Sequence, residues 1–291
     1  MTDHPATRLR TLLADGTVMC PGAWNALVGR AIAAAGFKSA YISGGATANA
    51  AGVPDVGMLT LSEVCRTIRE VSEASGLPIV ADADTGYGEE EMIVRAVHEY
   101  DRAGAAGMHL EDQVFPKRCG HLDGKTLVGV DRMVENIRAA ASGRNHPDFL
   151  LIARTDARSV EGMDAAVERA LAYREAGADM IFPEGLTSRD EFAEFADRCP
   201  GLLLANMTEF GKTPILNIDD FSGMGYDLVI YPVTMQRIAM GAVVRALEIL
   251  HQDGDVSRLL DSMQTREELY DLLGYTPGTP WIHPNSATRT S

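Results

Sequence analysis

The stretch "RAGAAGMHLED" (residues 102–112) reads as the end of a helix, a glycine, an apolar run and then two acids. Gly104 suits a left-handed residue closing a helix, where a side chain on Cβ would clash. The run that follows is short and lacks polar alternation, as in a strand buried on both faces. The same junction returns in "AAAGFKSAYISG" (33–44), "REAGADMIFPE" (174–184) and "GMGYDLVIYP" (223–232), with Gly36, Gly177 and Gly225 in the matching place. Each is a helix feeding a strand, and parallel strands need such crossovers.

Working outward, strands are expected near 17–22, 39–45, 78–86, 107–113, 148–156, 179–185, 201–209 and 227–233. Between them, segments such as "LSEVCRTIREVSEAS" (61–75) and "MDAAVERALAYREAG" (163–177) carry apolar residues at helical spacing. Eight such units predict an α/β fold, a closed (β/α)₈ TIM-type barrel. The rival, an open doubly wound sheet, would want a glycine-rich dinucleotide fingerprint that this chain lacks. After the last strand, "MQRIAMGAVVRALEILHQDG" (235–254) and "VSRLLDSMQTREELYDLLGY" (256–275) read as two helices, one more than a barrel needs. A surplus apolar face predicts burial against a neighbouring subunit. No linker divides the chain, so residues 1–275 are expected to form one barrel domain that includes the C-terminal helices from about 234. A Pro-, Ser- and Thr-rich irregular tail follows at 276–291.

Composition narrows the function. Of 291 residues, 46% are hydrophobic and 23% charged, enough to bury a sizeable core. The formal net charge of −15 argues against nucleic acid, whose binding rests on Lys and Arg meeting phosphates. A small anionic substrate needs only a local cluster of cations. The four cysteines are scattered without a CxxC pair, which predicts reduced thiols rather than a disulfide framework. The first residues contain no apolar signal-peptide core, and no stretch has the length of a membrane span, so a cytoplasmic protein is expected.

Barrel enzymes draw their catalytic groups from the C-terminal ends of strands, and polar residues interrupt the apolar runs there. They are Tyr41, Ser43, Gly44 and Gly45, then Asp55, Asp82, Asp84, Glu111 and Asp112. Arg154, Asp156, Glu184, Asn206, Thr208 and Arg237 follow. Any one acid alone could cap a helix or pair with Arg154 or Lys117. Acids on adjacent strand ends repel and resist desolvation, and a hard cation such as Mg²⁺ relieves that. "KRCGH" (117–121) is too polar to hide a structural thiol. Lys117, Arg118 and His121 would depress the pKa of Cys119, and Gly120 would let backbone approach a ligand. The thiol could then be nucleophile or proton donor. His109, inside an apolar strand, reads as a core residue or a support to the site.

"YISGG", "PDVG", "VADADTGYG", "HLEDQ", "KRCGH", "ARTDA", "FPEG", "ANMTEFGKTP" and "SMQTREELY" occur in order from Tyr41 to Tyr270. Together they resemble the 2-methylisocitrate lyases of the isocitrate lyase and phosphoenolpyruvate mutase superfamily. The cysteine of "KRCGH" marks the lyase branch. The resemblance implies a homotetramer exchanging a C-terminal helix, with Mg²⁺ (or Mn²⁺) as cofactor. It also implies cleavage of a 2-hydroxy tricarboxylate to pyruvate and succinate by a retro-aldol (reverse Claisen) route, a step of propionate catabolism in the methylcitrate cycle. Asp84 would then be the direct metal ligand, with Asp55, Asp82, Glu111 and Asp112 acting largely through water. Ser43, Gly44, Gly45 and Arg154 would hold the pyruvate part. Asn206, Thr208, Arg237, Gly120 and His121 would hold the succinate part, with Glu184 nearby. Cys119 would protonate the carbanion, and Tyr41 would be the candidate base. "VFPKRCGHLDGK" (114–125) is also similar to 2,3-dimethylmalate lyase and oxaloacetate hydrolase, so a sister activity stays open. A dicarboxylate-binding barrel without turnover is the third reading, and an intact Cys119 counts against it.

Overall fold

The computed structural model describes residues 3–282. Eight strands form one parallel sheet: β1 Val18–Pro21, β2 Ala40–Ile42, β3 Ile79–Asp82, β4 Ala105–Glu111, β5 Leu150–Thr155, β6 Met180–Pro183, β7 Leu202–Asn206 and β8 Leu228–Tyr231. From β2 to β8 each strand pairs with the next in sequence, and β8 returns to β1 with Val18 opposite Leu228. Between β1 and β2 the ring is drawn together by a bridge from Gly22 to Tyr41, where Ala23 N–H donates to the Tyr41 carbonyl at 2.8 Å. The result is a nearly closed (β/α)₈ barrel.

The helices are α1 Pro5–Asp15, α2 Ala26–Ala34, α3 Gly44–Ala50, α4 Leu61–Ser75, α5 Glu90–Ala103, α6 Val130–Ser142, α7 Met163–Glu175, α8 Arg189–Arg198, α9 Ile218–Gly223, α10 Thr234–Asp253 and α11 Arg266–Leu273. Gly36, Gly104, Gly177 and Gly225 all take positive φ, as the repeated junction requires. Strand residues serve two cores by turns. On β5, Leu150 and Ile152 face the barrel interior, while Leu151 and Ala153 face the helices. Both faces are dry, so the run carries no polar alternation.

Three expectations change. "YISGG" does not run on as strand: Ser43 caps α3, its Oγ accepting from Ala46 N–H at 3.2 Å, and the chain turns helical at Gly44. β3 stops at Asp82 because Asp84 and Tyr87 adopt positive φ and bend the chain away. The helix expected over 256–275 is split into a 3₁₀ segment, Ser257–Ser262, and α11. Thr265 and Glu268 form a reciprocal cap that starts α11 afresh. From Tyr275 to Ile282 the chain is irregular, and residues 283–291 of the expected tail lie outside the described residues.

α1 was not expected. Ala6, Leu9 and Leu13 lie on one side of it, and Leu9 and Leu13 join Val18, Leu150, Met180 and Leu228 at the N-terminal ends of the strands. The helix therefore seals the floor of the barrel. α10 behaves oppositely: of its buried positions only Gln236 is found, and Ile238, Val243, Val244 and Leu247 are exposed. Among the described residues no helix is long and apolar enough to cross a membrane.

Candidate active site

At the C-terminal ends of the strands lies a cavity of about 360 Å³. Tyr41, Ser43, Gly45, Asp55, Asp82, Lys117, Cys119, Gly120, His121, Arg154, Glu184, Asn206, Thr208 and Arg237 all line it. Candidates from seven strands and their loops, β2 to β8, thus converge. A larger cavity of about 650 Å³ lies across the Asp84 loop, between Met58, Tyr87, Met92 and Phe115, and of the candidates only Asp84 borders it.

The acids gather around Lys117. Its ammonium is buried, 2.9 Å from Asp84 Oδ1 and also paired with Asp55 Oδ1. Burial opposes the charge, but Glu111, Asp84, Asp82 and Asp55 outweigh it and push the lysine far above its ordinary range. Asp82 accepts from Gly44 N–H at 3.0 Å and Asp84 N–H at 2.9 Å. Burial would raise its carboxyl, yet His109, Lys117 and Arg154 hold it at about 2. Burial and the charge of Asp82 instead push Asp84 up to about 6. Glu111 is 2% exposed, and burial lifts its carboxyl well above the carboxylate range against the pull of Arg154 and Lys117.

This donor set tests the expected metal. Both oxygens of Glu111 and Oδ1 of Asp84 are buried without a hydrogen bond, although Arg154 Nη1 is 3.2 Å from Glu111 and Lys117 faces Asp84. Carboxyl oxygens buried without a hydrogen bond are costly, and a bound cation would hold both groups in the charged form. Among the described residues no three His, Cys, Asp or Glu side chains could directly wrap an ion. An all-oxygen set with few direct ligands fits a hard cation that keeps most of its water, as Mg²⁺ does.

Three expected site residues turn elsewhere. Asp112 accepts from Thr155 Oγ1 at 2.8 Å, Asp156 N–H at 2.9 Å and Tyr173 OH at 2.8 Å, with Arg169 3.5 Å away. Protein donors consume its carboxylate outside the barrel, so it ties β4 to β5 rather than serving a metal. Arg118 is exposed and reaches the Asp123 carbonyl, not the cavity. Gly44 spends its N–H on Asp82, and a Cβ there would sit 2.9 Å from that carboxylate.

Cys119 rides on a loop whose base is a small hairpin. Gln113 pairs with Leu127, Val114 N–H donates to the Thr126 carbonyl at 2.8 Å, and the Gln113 amide clasps the Arg118 backbone in both directions. Lys212 N–H donates to His121 Nδ1 at 3.1 Å, so the proton of a neutral ring resides on Nε2, which faces Glu184 at 3.2 Å. Gly120 lies flat on the cavity wall: a Cβ would be 2.4 Å from both Arg154 Nη2 and Glu184 Cγ. The thiol differs from expectation. Burial raises its pKa and only partly yields to a hydrogen bond from the His121 backbone, so Cys119 stays protonated. That state suits an acid and not a nucleophile.

The cationic side is Arg154 and Arg237. Arg154 donates to Asp156 at 3.0 and 3.2 Å and lies over the Phe182 ring at 5.2 Å. Asn206 Nδ2 donates to Glu184 at 3.1 Å. Arg237 donates to the Glu209 carbonyl and lies 5.3 Å over the ring of Phe210, which is 96% exposed. Tyr41 OH is 2.7 Å from His109 Nε2. Burial lifts the Tyr41 phenol well above its ordinary range and drops His109 to about 4. At rest Tyr41 is therefore protonated, and to act as base it would first have to pass its proton to His109. His109, expected in the core or as a support to the site, takes the supporting place, and Asn49, Glu209 and Phe210 on the cavity wall were not among the expected residues.

The phosphoenolpyruvate phosphomutase family model matches residues 9–251, the whole barrel and most of α10. The chain belongs to this phosphoenolpyruvate mutase family. Within the family it is 51% identical to a probable 2-methylisocitrate lyase of Corynebacterium glutamicum, over 91% of this chain and 87% of that protein. A crystal structure of 2,3-dimethylmalate lyase superposes with a TM-score of 0.88 at 37% identity, covering 94% and 93% of the two chains. A phosphonopyruvate hydrolase solved with oxalate and Mg²⁺ gives a TM-score of 0.85 at 30% identity, covering 94% and 95%. The chain is thus an enzyme of the carbon–carbon lyase type in the phosphoenolpyruvate mutase family.

Proposed function

We propose that the chain cleaves 2-methylisocitrate to pyruvate and succinate. The observation that carries this reading is a protonated Cys119 on a loop above a cavity walled by two arginines. Asp84, with Asp55, Asp82 and Glu111 through water, would hold Mg²⁺, or Mn²⁺ in its place. The bound ion supplies Lewis acidity, acidifying the hydroxyl and polarising the carbonyl that forms. Arg154, Ser43 and the Gly45 backbone grip the pyruvate part. Breaking the C2–C3 bond leaves the electron pair on C3 of the succinate part, delocalised into its carboxylate. Arg237, Asn206, Thr208, His121 and the Gly120 backbone meet that growing charge, which stabilises the transition state more than the ground state. The hydroxyl proton leaves to solvent as the carbonyl forms, the Cys119 thiol delivers its proton to C3, and the thiolate takes a proton back from solvent as the products leave.

A second reading keeps the mechanism and changes the acid. The likeness to 2,3-dimethylmalate lyase supports it, and isocitrate, which lacks only one methyl group of 2-methylisocitrate, would be disfavoured by no more than about 1–3 kcal/mol. The test is pyruvate release from 2-methylisocitrate, with and without Mg²⁺, beside 2,3-dimethylmalate, isocitrate and oxaloacetate. Metal-dependent cleavage of 2-methylisocitrate, lowered about 10²–10⁴-fold in Cys119→Ser, supports the proposal. Preference for another acid moves the substrate. Inertness toward all four with metal present overturns the reading in favour of a dicarboxylate-binding barrel.

A further inference from the structure

Lys125 is a buried cation that the chemistry above does not use. Its side chain is 1% exposed, and it lies on the segment returning from the Cys119 loop to the bridge at Leu127. Its Nζ is 2.7 Å from Asp156 Oδ1 and also donates to the Gly120 carbonyl. Asp156 is fully buried, and the same carboxylate accepts from Arg154. One acid at the end of β5 therefore binds both the guanidinium that faces the cavity and the ammonium that grips the loop.

A buried ammonium persists only where its partners replace lost hydration. One of those partners is available because the loop is down, with Gly120 resting against Arg154 and Glu184. Of the other anchors, Lys117 on Asp55 and Asp84 and His121 on Glu184 look into the cavity, where a ligand would compete for them, and Lys212 on Asp123 is exposed to solvent. Lys125 does not line the cavity, so its hold survives the arrival of substrate. We propose that Lys125 is a positioning residue: through Asp156 and the Gly120 carbonyl it latches the Cys119 loop over the cavity and keeps Arg154 in register with it. Its catalytic meaning rests on the reading of Cys119 given above, but the latch can be tested without turnover.

The test is the iodoacetamide alkylation rate of each of the four cysteines, read by peptide mass spectrometry on the full chain without substrate. Lys125→Met should speed alkylation of Cys119 about tenfold, as expected for one lost charge-assisted hydrogen bond. Lys125→Gln, which keeps a donor for Gly120, should fall between. Cys20, Cys65 and Cys199 are buried elsewhere and should match the parent protein. Removing a cation by itself would slow thiolate chemistry, so the expected sign opposes the electrostatic one. An unchanged Cys119 rate overturns the proposal. So does a rise at all four thiols, or failure of both variants to fold, because Lys125 would then support the whole fold. Failure to cleave 2-methylisocitrate would overturn the functional reading and leave this result standing.

Discussion

At the scale of single residues, the site depends on where atoms are missing as much as where they are placed. Gly120→Ala would drive a Cβ into Arg154 and Glu184, lifting the loop without touching the core. The expected outcome is a fall of about 10²-fold in kcat with an unchanged melting temperature, checked by kinetics and calorimetry on the same sample. Cys119 makes a pH prediction. The acid works while protonated, so activity persists below its pKa and is lost as pH rises through it. Because burial raises that pKa, the alkaline limb of the kcat profile should lie beyond the range of an ordinary thiol, and Cys119→Ser should abolish it. A limb at ordinary thiol pH would contradict the assignment. Most of these residues were legible as polar interruptions at strand ends. Asp112 and Arg118 were misread because successive residues in extended chain face opposite ways, so Glu111 and Lys117 took the inward positions. The pairing of Tyr41 with His109 spans β2 and β4 across the barrel, and no local pattern announces it.

Elements were easier to read where they repeat. The helix–glycine–strand junction announced the parallel order, because both features are local. α1 escaped because its apolar positions, Ala6, Leu9 and Leu13, sit in a segment otherwise rich in polar residues, and its partners come from the far ends of other strands. Leu9→Ala should cost about 2–5 kcal/mol of stability, as for other buried leucines, with little change in kcat for the molecules that remain folded. Denaturant titration beside active-site kinetics checks both halves. A loss of activity exceeding the loss of folded protein would mean that the floor communicates with the site. The break between the 3₁₀ segment and α11 was legible in "TREE" (265–268), a capping sequence that the helical periodicity around it concealed.

At the scale of the molecule, α10 is the outlier. Its exposed Ile238, Val243, Val244 and Leu247 support the homotetramer with exchanged helices proposed from the family resemblance. Sedimentation should give a mass near four chains, and Val244→Asp with Leu247→Asp should shift it toward a single chain. A monomeric parent protein would end that proposal. The surplus helix was legible by counting, whereas the partner that would cover it belongs to no pattern within one chain. α10 also begins inside the site: Gln236 donates to the Ala46 carbonyl at 2.8 Å, and Arg237 belongs to the same first turn. A rod of 20 residues is about 30 Å long and works as a lever with its fulcrum beside the substrate. Whatever grips the far end sets the angle of the guanidinium at the near end. Dilution past the point where that grip fails would therefore weaken substrate capture first, making KM a function of enzyme concentration while every bond of the barrel stays intact.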